Sequence, residues 1–377
     1  VMEHYLDNAA TTRVIEPALK KAVYMMTDCY ANPSAQHESG RLAAYELKTA
    51  RERVLRALGF LSGQLIFTSG GTEAINAAIL GISRKYGRKN KKIVSTQIEH
   101  AATLEALKTL EKDGYEIILI KPDRAGSVDA GEIAAQSKDA CLVTVMAVNN
   151  ETGARLPVKE IKRALTAMKS PALLHTDAVQ AFLKTEEPLS ALGADLISVS
   201  GHKIGAMKGA GALYAAEGIF IPPLFYGGGQ EEGARPGTEA LPAAASMGEA
   251  CDFRSMRLNE DLKNLSKLNS YARASLIGKV PGVIINSPQE ASPHIINFSL
   301  PGAKSEVLLR VLSGRGVYVS AGSACSRGRR SHVLTAMKLD PYLIDSAIRI
   351  SFCPENTEDD IDALCGGLND GAILFKR

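Results

Sequence analysis

Short apolar runs alternate with helix-period stretches from about residue 14 to residue 250, and this alternation limits the fold of the chain more than any other feature. Gln64–Thr68, Lys92–Thr96, Glu116–Ile120, Cys141–Val148, Ala172–Thr176, Asp195–Ser200 and Ala212–Ala215 read as strands. Around and between them, Glu16–Thr27, Ser39–Leu58, Ala101–Lys112, Asp129–Gln136 and Val158–Met168 read as helices. A further helix carries Ile75, Ala78, Ile79 and Ile82 at helical spacing. In Ser39–Leu58, Leu42, Leu47, Val54 and Leu58 are expected on or near one face, with Gly59 as the stop. Strands joined through helices form a mostly parallel sheet covered on both faces, so the fold class is α/β.

From about residue 255 the pattern changes. Val283–Asn286, His294–Leu300, Val317–Ser320 and Ala347–Phe352 read as strands, with helices near Lys304–Ser313, His332–Met337 and Glu358–Leu368. This predicts a smaller α+β domain, joined to the first through a mainly helical Glu239–Ser270. The 377 residues suit two or three domains. A net charge of +3 gives no reason to expect nucleic-acid or membrane binding, and no apolar run approaches the ~20 residues of a membrane span. The opening VMEHYLDNAATT has no signal-peptide pattern, so a cytoplasmic location is expected. The six cysteines are scattered without a C-x-x-C pair, which predicts neither a metal site nor a disulfide framework.

Chemistry concentrates where the strands end. Asp195–Ser200 runs into Gly201, His202 and Lys203. A lysine at the carboxyl end of a buried strand is either a surface lysine on a turn or an amine made nucleophilic by desolvation. Ala172–Thr176 ends in Asp177, followed by Gln180. Asp177 could simply cap a helix. Together with Lys203 it suits pyridoxal phosphate (PLP), which needs a lysine for a Schiff base and an acid for its pyridinium nitrogen. Ligands bind at this edge of a parallel sheet. His100 falls just past the end of Lys92–Thr96, where it caps a helix or stacks on a ring and moves protons. Strand, Ser69-Gly70-Gly71-Thr72-Glu73 turn and helix start together form an anion site, unless the glycines serve only the turn. Asn149-Asn150-Glu151-Thr152-Gly153 is a polar turn with amides placed for a ligand.

Ser320 to Arg330 surrounds Cys325 with small residues, two glycines and Arg327, Arg329 and Arg330. Nearby cations favour the thiolate of Cys325, the nucleophilic form; the alternative is an incidental thiol beside a solvated basic run. Arg349 lies among apolar residues in Ala347–Phe352, so it needs an anionic partner, either a substrate carboxylate or a structural one. Tyr226-Gly227-Gly228-Gly229-Gln230 and Arg235-Pro236-Gly237-Thr238 belong to a loop of nearly twenty residues, a length that is usually functional.

Taken together these residues resemble the class V aminotransferase-like cysteine desulfurases of the NifS/IscS type. The resemblance covers nearly the whole chain: YLDNAATT at 5–12, NPSAQH at 32–37, FTSGGTEAIN at 67–76, IEH at 98–100, VNNETG at 148–153, HTDAVQ at 175–180, SGHK at 200–203, GGGQEEGARPGT at 227–238, SAGSACS at 320–326 and AIRIS at 347–351. It implies a PLP-dependent transferase of fold type I. The large domain, residues 14–255, would carry a mostly parallel seven-stranded sheet, and residues 1–13 with 256–377 would form the small domain bearing the cysteine loop.

The resemblance also implies roles. Lys203 would be linked to the cofactor, Asp177 would hold the pyridinium and His100 would stack on the ring. Gln180 and Asn150 would lie near the ring hydroxyl. Thr72, Ser200 and His202 would bind the phosphate with help from Gly71, which stands where alanine is common. Thr238 would reach the phosphate of the neighbouring subunit of a homodimer. Asn8, Asn32 and Arg349 would contact L-cysteine. Cys325 would take its sulfur as a persulfide, release alanine and deliver the sulfur to an iron–sulfur scaffold or a tRNA-thiolation protein. Two other readings of the same residues are a selenocysteine or carbon–sulfur lyase, and a scaffold of this fold without activity.

Overall fold

Seven of the expected strands form one sheet in a computed structural model that describes residues 3–321 and 330–373. A two-residue strand β1 (His4–Tyr5) precedes α1 (Glu16–Thr27) and α2 (Glu38–Leu58). Then come β2 (Gln64–Thr68), α3 (Gly71–Tyr86), β3 (Lys92–Thr96), α4 (Ala101–Lys112) and β4 (Glu116–Ile120). They are followed by α5 (Ala130–Gln136), β5 (Leu142–Met146), α6 (Val158–Ala167), β6 (Leu173–Asp177), β7 (Leu196–Ser200) and β8 (Gly211–Ala215). The sheet order is β2-β8-β7-β6-β5-β3-β4. Only β8 runs antiparallel to its neighbours β2 and β7; the pairs β7–β6, β6–β5, β5–β3 and β3–β4 are parallel. The carboxyl ends of β2, β3, β5, β6 and β7 therefore share one edge.

The central strands β5, β7 and β8 are buried at every position because helices cover both faces. Successive side chains alternate between the two layers. Ile197 and Val199 of β7 join the core that holds Leu47, Val54 and Leu58 of α2, while Leu196 joins the core of Ile75, Ile79 and Ile82 from α3. Helix α2 stops at Gly59, whose φ of +89° favours glycine. Leu42, expected on or near the buried face, is instead 43% exposed. Five residues separate it from Leu47, well over one turn, which rotates it off the stripe.

The remainder comprises α7 (Leu241–Lys279), β9 (Ile284–Ile285), β10 (Ile295–Ser299), α8 (Ser305–Gly314), β11 (Val317–Tyr318), α9 (His332–Ala336), α10 (Pro341–Asp345), β12 (Ala347–Ser351) and α11 (Glu358–Ile373). Strands β12, β10 and β9 form an antiparallel sheet in that order, and β1 pairs in parallel with β11. Helix α7 runs nine residues beyond its expected end. It serves two cores in turn: Leu241, Met247 and Cys251 face the large-sheet core, whereas Leu268, Ala272 and Leu276 pack with Phe298, Ile348 and Leu364. Among the described residues no helix is long and apolar enough to cross a membrane.

Candidate active site

The shared carboxyl edge opens into a cleft of about 240 Å³. Gly71, Thr72, His100, Asn150 and Asp177 line it, and so do Gln180, Ser200, His202, Lys203 and Arg349. These residues lie far apart in the chain; all but Arg349, which comes from β12 of the three-stranded sheet, meet because the strands they follow end together.

The glycine turn between β2 and α3 depends on one close approach. Thr68 of β2 and Ser200 of β7 both pair with Gly211 of β8, and a Cβ on Gly211 would sit 2.5 Å from the backbone of Gly70. Gly70 itself has φ +155° and ψ −178°, a region occupied almost only by glycine. The turn delivers the N-terminus of α3 to the cleft with its first-turn N–H groups unspent, an arrangement suited to an anion. Glu73 braces the turn: its Oε2 accepts Ser69 N at 2.7 Å, and its Oε1 accepts Arg235 Nε at 3.0 Å. The Ser69 and Arg235 bonds hold its carboxyl below the ordinary range against the opposing effect of burial. The Ser200 hydroxyl is buried without a hydrogen-bond partner among the described residues. A buried hydroxyl in that state is destabilising unless a ligand satisfies it.

Asp177 ends β6 and is buried; its Oδ1 accepts Val179 N at 2.9 Å. Burial pushes its carboxyl pKa up, opposed by His100, the Val179 bond and Lys203. A carboxylate so placed is stabilised by a cation entering the cleft. His100 caps α4 by accepting Ala102 N at Nδ1, 3.1 Å away, so the neutral ring carries its proton at Nε2. Burial lowers its pKa, Asp177 raises it, and Lys203 and His332 lower it. The capping role and the place in the cleft coexist.

Lys203 follows β7 in a short 3₁₀ turn and lies 2.5 Å from Ala9 O and 2.6 Å from Ala10 O through Nζ. The N-terminal DNAATT segment thus forms one wall. His202 Nδ1 lies 3.2 Å from Thr11 Oγ1, and burial, with Lys203 adding to it, pushes the His202 ring down to about 4. Gln180 donates to Ala9 O at 2.9 Å, and its Oε1 lies 3.3 Å from His294 Nε2.

Arg349, in β12, has a structural partner: Nη2 lies 2.7 Å from Asp7 Oδ1, and Nη1 donates to Asn150 O at 2.9 Å. Its Nε is buried with no hydrogen-bond partner among the described residues, which leaves one donor for a ligand. The neighbouring Asn149 shapes the Asn150 turn, since its Oδ1 accepts from Glu151 N and Thr152 N at 2.9 and 3.0 Å.

Three expected residues do not line the cleft. Asn8 is buried and donates to Tyr5 O, Ser351 O and Asn356 Oδ1. Asn32 is exposed and its Oδ1 accepts Ser34 N. Thr238 is exposed. Cys325, Arg327 and Arg329 lie outside the described residues. Arg330 forms a two-bond ion pair with Asp345 at 2.6 and 2.7 Å, which accounts for one charge of the basic run.

Two side chains that shape the site lie within quoted motifs but were given no role of their own. Glu151 is buried and accepts from Ser331, which also caps α9. Glu99 is fully buried; its Oε1 accepts from Thr96 Oγ1 and Met146 N, and burial pushes its pKa up to about 8. Each is a polar residue within a motif, and only the tertiary fold reveals what it holds.

The aminotransferase class-V family model matches residues 4–364. The chain is 36% identical over 364 residues to a protein named cysteine desulfurase IscS from Dictyoglomus turgidum, covering 96% of this chain and 92% of that one. A solved NifS-like protein superposes with a TM-score of 0.92 at 35% identity over 99% of both chains. The structure of SspA in complex with cysteine superposes with a TM-score of 0.83 at 29% identity, over 94% of this chain and all of that one. The chain belongs to the class-V aminotransferase family, and within it to the cysteine desulfurases.

Proposed function

We propose that the protein takes sulfur from L-cysteine with pyridoxal phosphate held in the cleft, leaving alanine and a persulfide on Cys325. The observation that carries this reading is the pairing of Lys203 and Asp177 at the ends of neighbouring strands, in one cleft with the anion-ready α3 turn. The unpartnered Ser200 hydroxyl and the buried, cation-seeking Asp177 fit a ligand that is anionic at one end and cationic at the other. Bound there, the cofactor supplies an electron sink for the substrate α-carbon.

The chain's own residues do the rest. Thr72, Ser200 and His202 bind the phosphate beside Gly71, and Thr238 reaches the phosphate of the neighbouring subunit in a homodimer. Asp177 keeps the ring nitrogen protonated; His100 stacks on the ring; Gln180 and Asn150 meet its hydroxyl. Lys203 holds the cofactor covalently and then moves the substrate α-proton. Arg349 receives the substrate, its Nε being a donor still unused among the described residues. As the Cys325 thiolate attacks the substrate sulfur the Cβ–S bond breaks. Its electron pair stays with the carbon skeleton, which takes up a proton and leaves as alanine. The persulfide passes its outer sulfur to an acceptor, an iron–sulfur scaffold or a tRNA-thiolation protein, in the cytoplasm. Residues 14–255 form the cofactor domain, and residues 1–13 with 256–377 the domain carrying Cys325.

Two variants test the reading. Lys203→Ala should abolish the visible absorption of the cofactor-loaded protein. Cys325→Ser should keep that absorption and yield no persulfide. An unchanged spectrum in the first, or full sulfide release by the second, would overturn it.

A further inference from the structure

Among the described residues that line the cleft, Arg349 alone comes from the three-stranded sheet. That sheet packs on a core of its own, with Phe298, Ile348 and Ile350, apart from the cores beneath the strands that end in Asp177 and lead to Lys203. The place of the Arg349 guanidinium in the cleft therefore depends on what joins the two sheets there. The join is the turn at 149–153, which follows β5 and lines the cleft through Asn150.

Four successive carbonyls of this turn are each bound by a donor from the three-stranded sheet or the β9–β10 connection. Arg349 Nη1 donates to Asn150 O at 2.9 Å, and Asn297 Nδ2 donates to Glu151 O at 3.2 Å. Ser287 Oγ donates to Thr152 O at 2.6 Å, and Ser292 N donates to Gly153 O at 2.8 Å. Glu151, Thr152, Ser287, Ser292 and Asn297 are buried, so a carbonyl that lost its donor here would find no water in exchange. Ile295 of β10 closes the row: Gly153 has φ +73°, and a Cβ on it would lie 3.2 Å from Ile295 Cβ.

Asn297 stands at the centre of this row. It lies directly opposite Arg349 in the β10–β12 register, so the two side chains leave the same face of the sheet and grip adjacent carbonyls. The Asn297 amide is oriented from behind, since its Oδ1 accepts from Asn286 Nδ2 at 2.8 Å, which turns its Nδ2 toward Glu151. Its backbone N donates to Ser287 Oγ at 2.7 Å, leaving that hydroxyl's proton for Thr152 O.

We propose that Asn297 is a positioning residue for substrate recognition: by gripping Glu151 O it holds the turn so that Asn150 O anchors Arg349 with its guanidinium set in the cleft. The inference rests on the proposed contact between Arg349 and the substrate carboxylate. Without the Asn297 amide the turn is free to shift against β12, and misplacing a binding group by ~1 Å costs up to about a hundredfold in rate.

The test compares L-cysteine with L-cysteine methyl ester, which lacks the carboxylate charge, on the cofactor-loaded protein, each followed by sulfide released in the presence of a thiol reductant. In Asn297→Ala, kcat/KM for L-cysteine should fall about tenfold, mostly through KM, whereas kcat/KM for the ester should fall less than about twofold. Hydrogen exchange in the peptide spanning 148–156, measured without cofactor, should quicken in the same variant. If Asn297→Ala does not fold, Ser287→Ala removes the neighbouring donor and should shift the acid-to-ester ratio the same way. Equal losses for acid and ester, no loss for either, or unchanged exchange at 148–156 would overturn the inference. An Arg349→Ala variant that kept the native acid-to-ester ratio would instead overturn the placing of the carboxylate at Arg349, on which the inference rests.

Discussion

Glu73 joins the glycine turn to the long loop, accepting Ser69 N with one carboxylate oxygen and Arg235 Nε with the other. The two contacts hold the α3 N-terminus open toward the cleft while fixing the start of the segment that contains Thr238. Glu73→Ala should therefore weaken binding of pyridoxal phosphate roughly tenfold, the equivalent of about 1.4 kcal/mol. Spectroscopic titration of the cofactor-free protein would measure it. Equal affinities in the two proteins would contradict the bracing role.

Gly211 is required by its neighbour's backbone, since a Cβ there would lie 2.5 Å from Gly70 Cα and C. Backbone atoms cannot rotate away as a side chain can. Gly211→Ala should lower stability by about 1–3 kcal/mol and weaken cofactor retention along with it. A denaturant titration with the cofactor bound and absent checks both effects; an unaltered midpoint would refute the constraint. At Gly71 the added Cβ meets Val179 Cγ2 at 2.8 Å, a side-chain contact that can move, so Gly71→Ala should be much the milder change.

His175 ties three strands together, its Nδ1 lying 2.8 Å from Thr144 Oγ1 and its Nε2 2.9 Å from Ser198 Oγ. Burial alone pushes its pKa down to about 3. Below the unfolded value of 6.5 the unfolded chain gains a proton here that the folded chain refuses, so this contribution to stability falls as pH drops toward 3. Over that window the slope is about 1.4 kcal/mol per pH unit for one proton. Glu99, raised to about 8, acts in the opposite direction above pH 4.5. Comparison with His175→Gln isolates the histidine: the variant's stability should depend less steeply on pH by about one proton between pH 6 and 4. Parallel curves would exclude the assignment.

Ser331 caps α9 through Leu334 N and donates to the buried Glu151. Ser331→Ala removes a helix cap and strips a buried carboxylate of its donor, so it should cost about 2–3 kcal/mol. Adding Glu151→Gln removes the buried charge, and the double variant should regain part of that loss. A double-mutant cycle with no coupling between the two positions would show that the contact carries no weight.

The architecture was readable because strand ends fell where residue chemistry changed. Lys203, Asp177 and His100 each follow an apolar run, and a parallel sheet brings such positions to one edge. What sequence spacing cannot supply is the partner at long range. Arg235 meets Glu73 across 162 residues, and Ser331 meets Glu151 across 180. Lys184 drew no reading from the sequence, yet the fold buries it against a small cavity that Lys203 also lines. Arg349 was expected to need an anion, but only the structure identifies Asp7 as one. Helix α7 outran its expected end because its apolar stripe shifts from one core to the other, which blurs the period on which the boundary was judged.

The central claim is that L-cysteine sulfur is transferred to Cys325. Purified protein incubated with L-cysteine, quenched with a thiol-alkylating reagent and digested should yield a Cys325 peptide heavier by one sulfur, with alanine formed in step. Sulfide and pyruvate with Cys325 unmodified would contradict the account and mark the protein as a carbon–sulfur lyase.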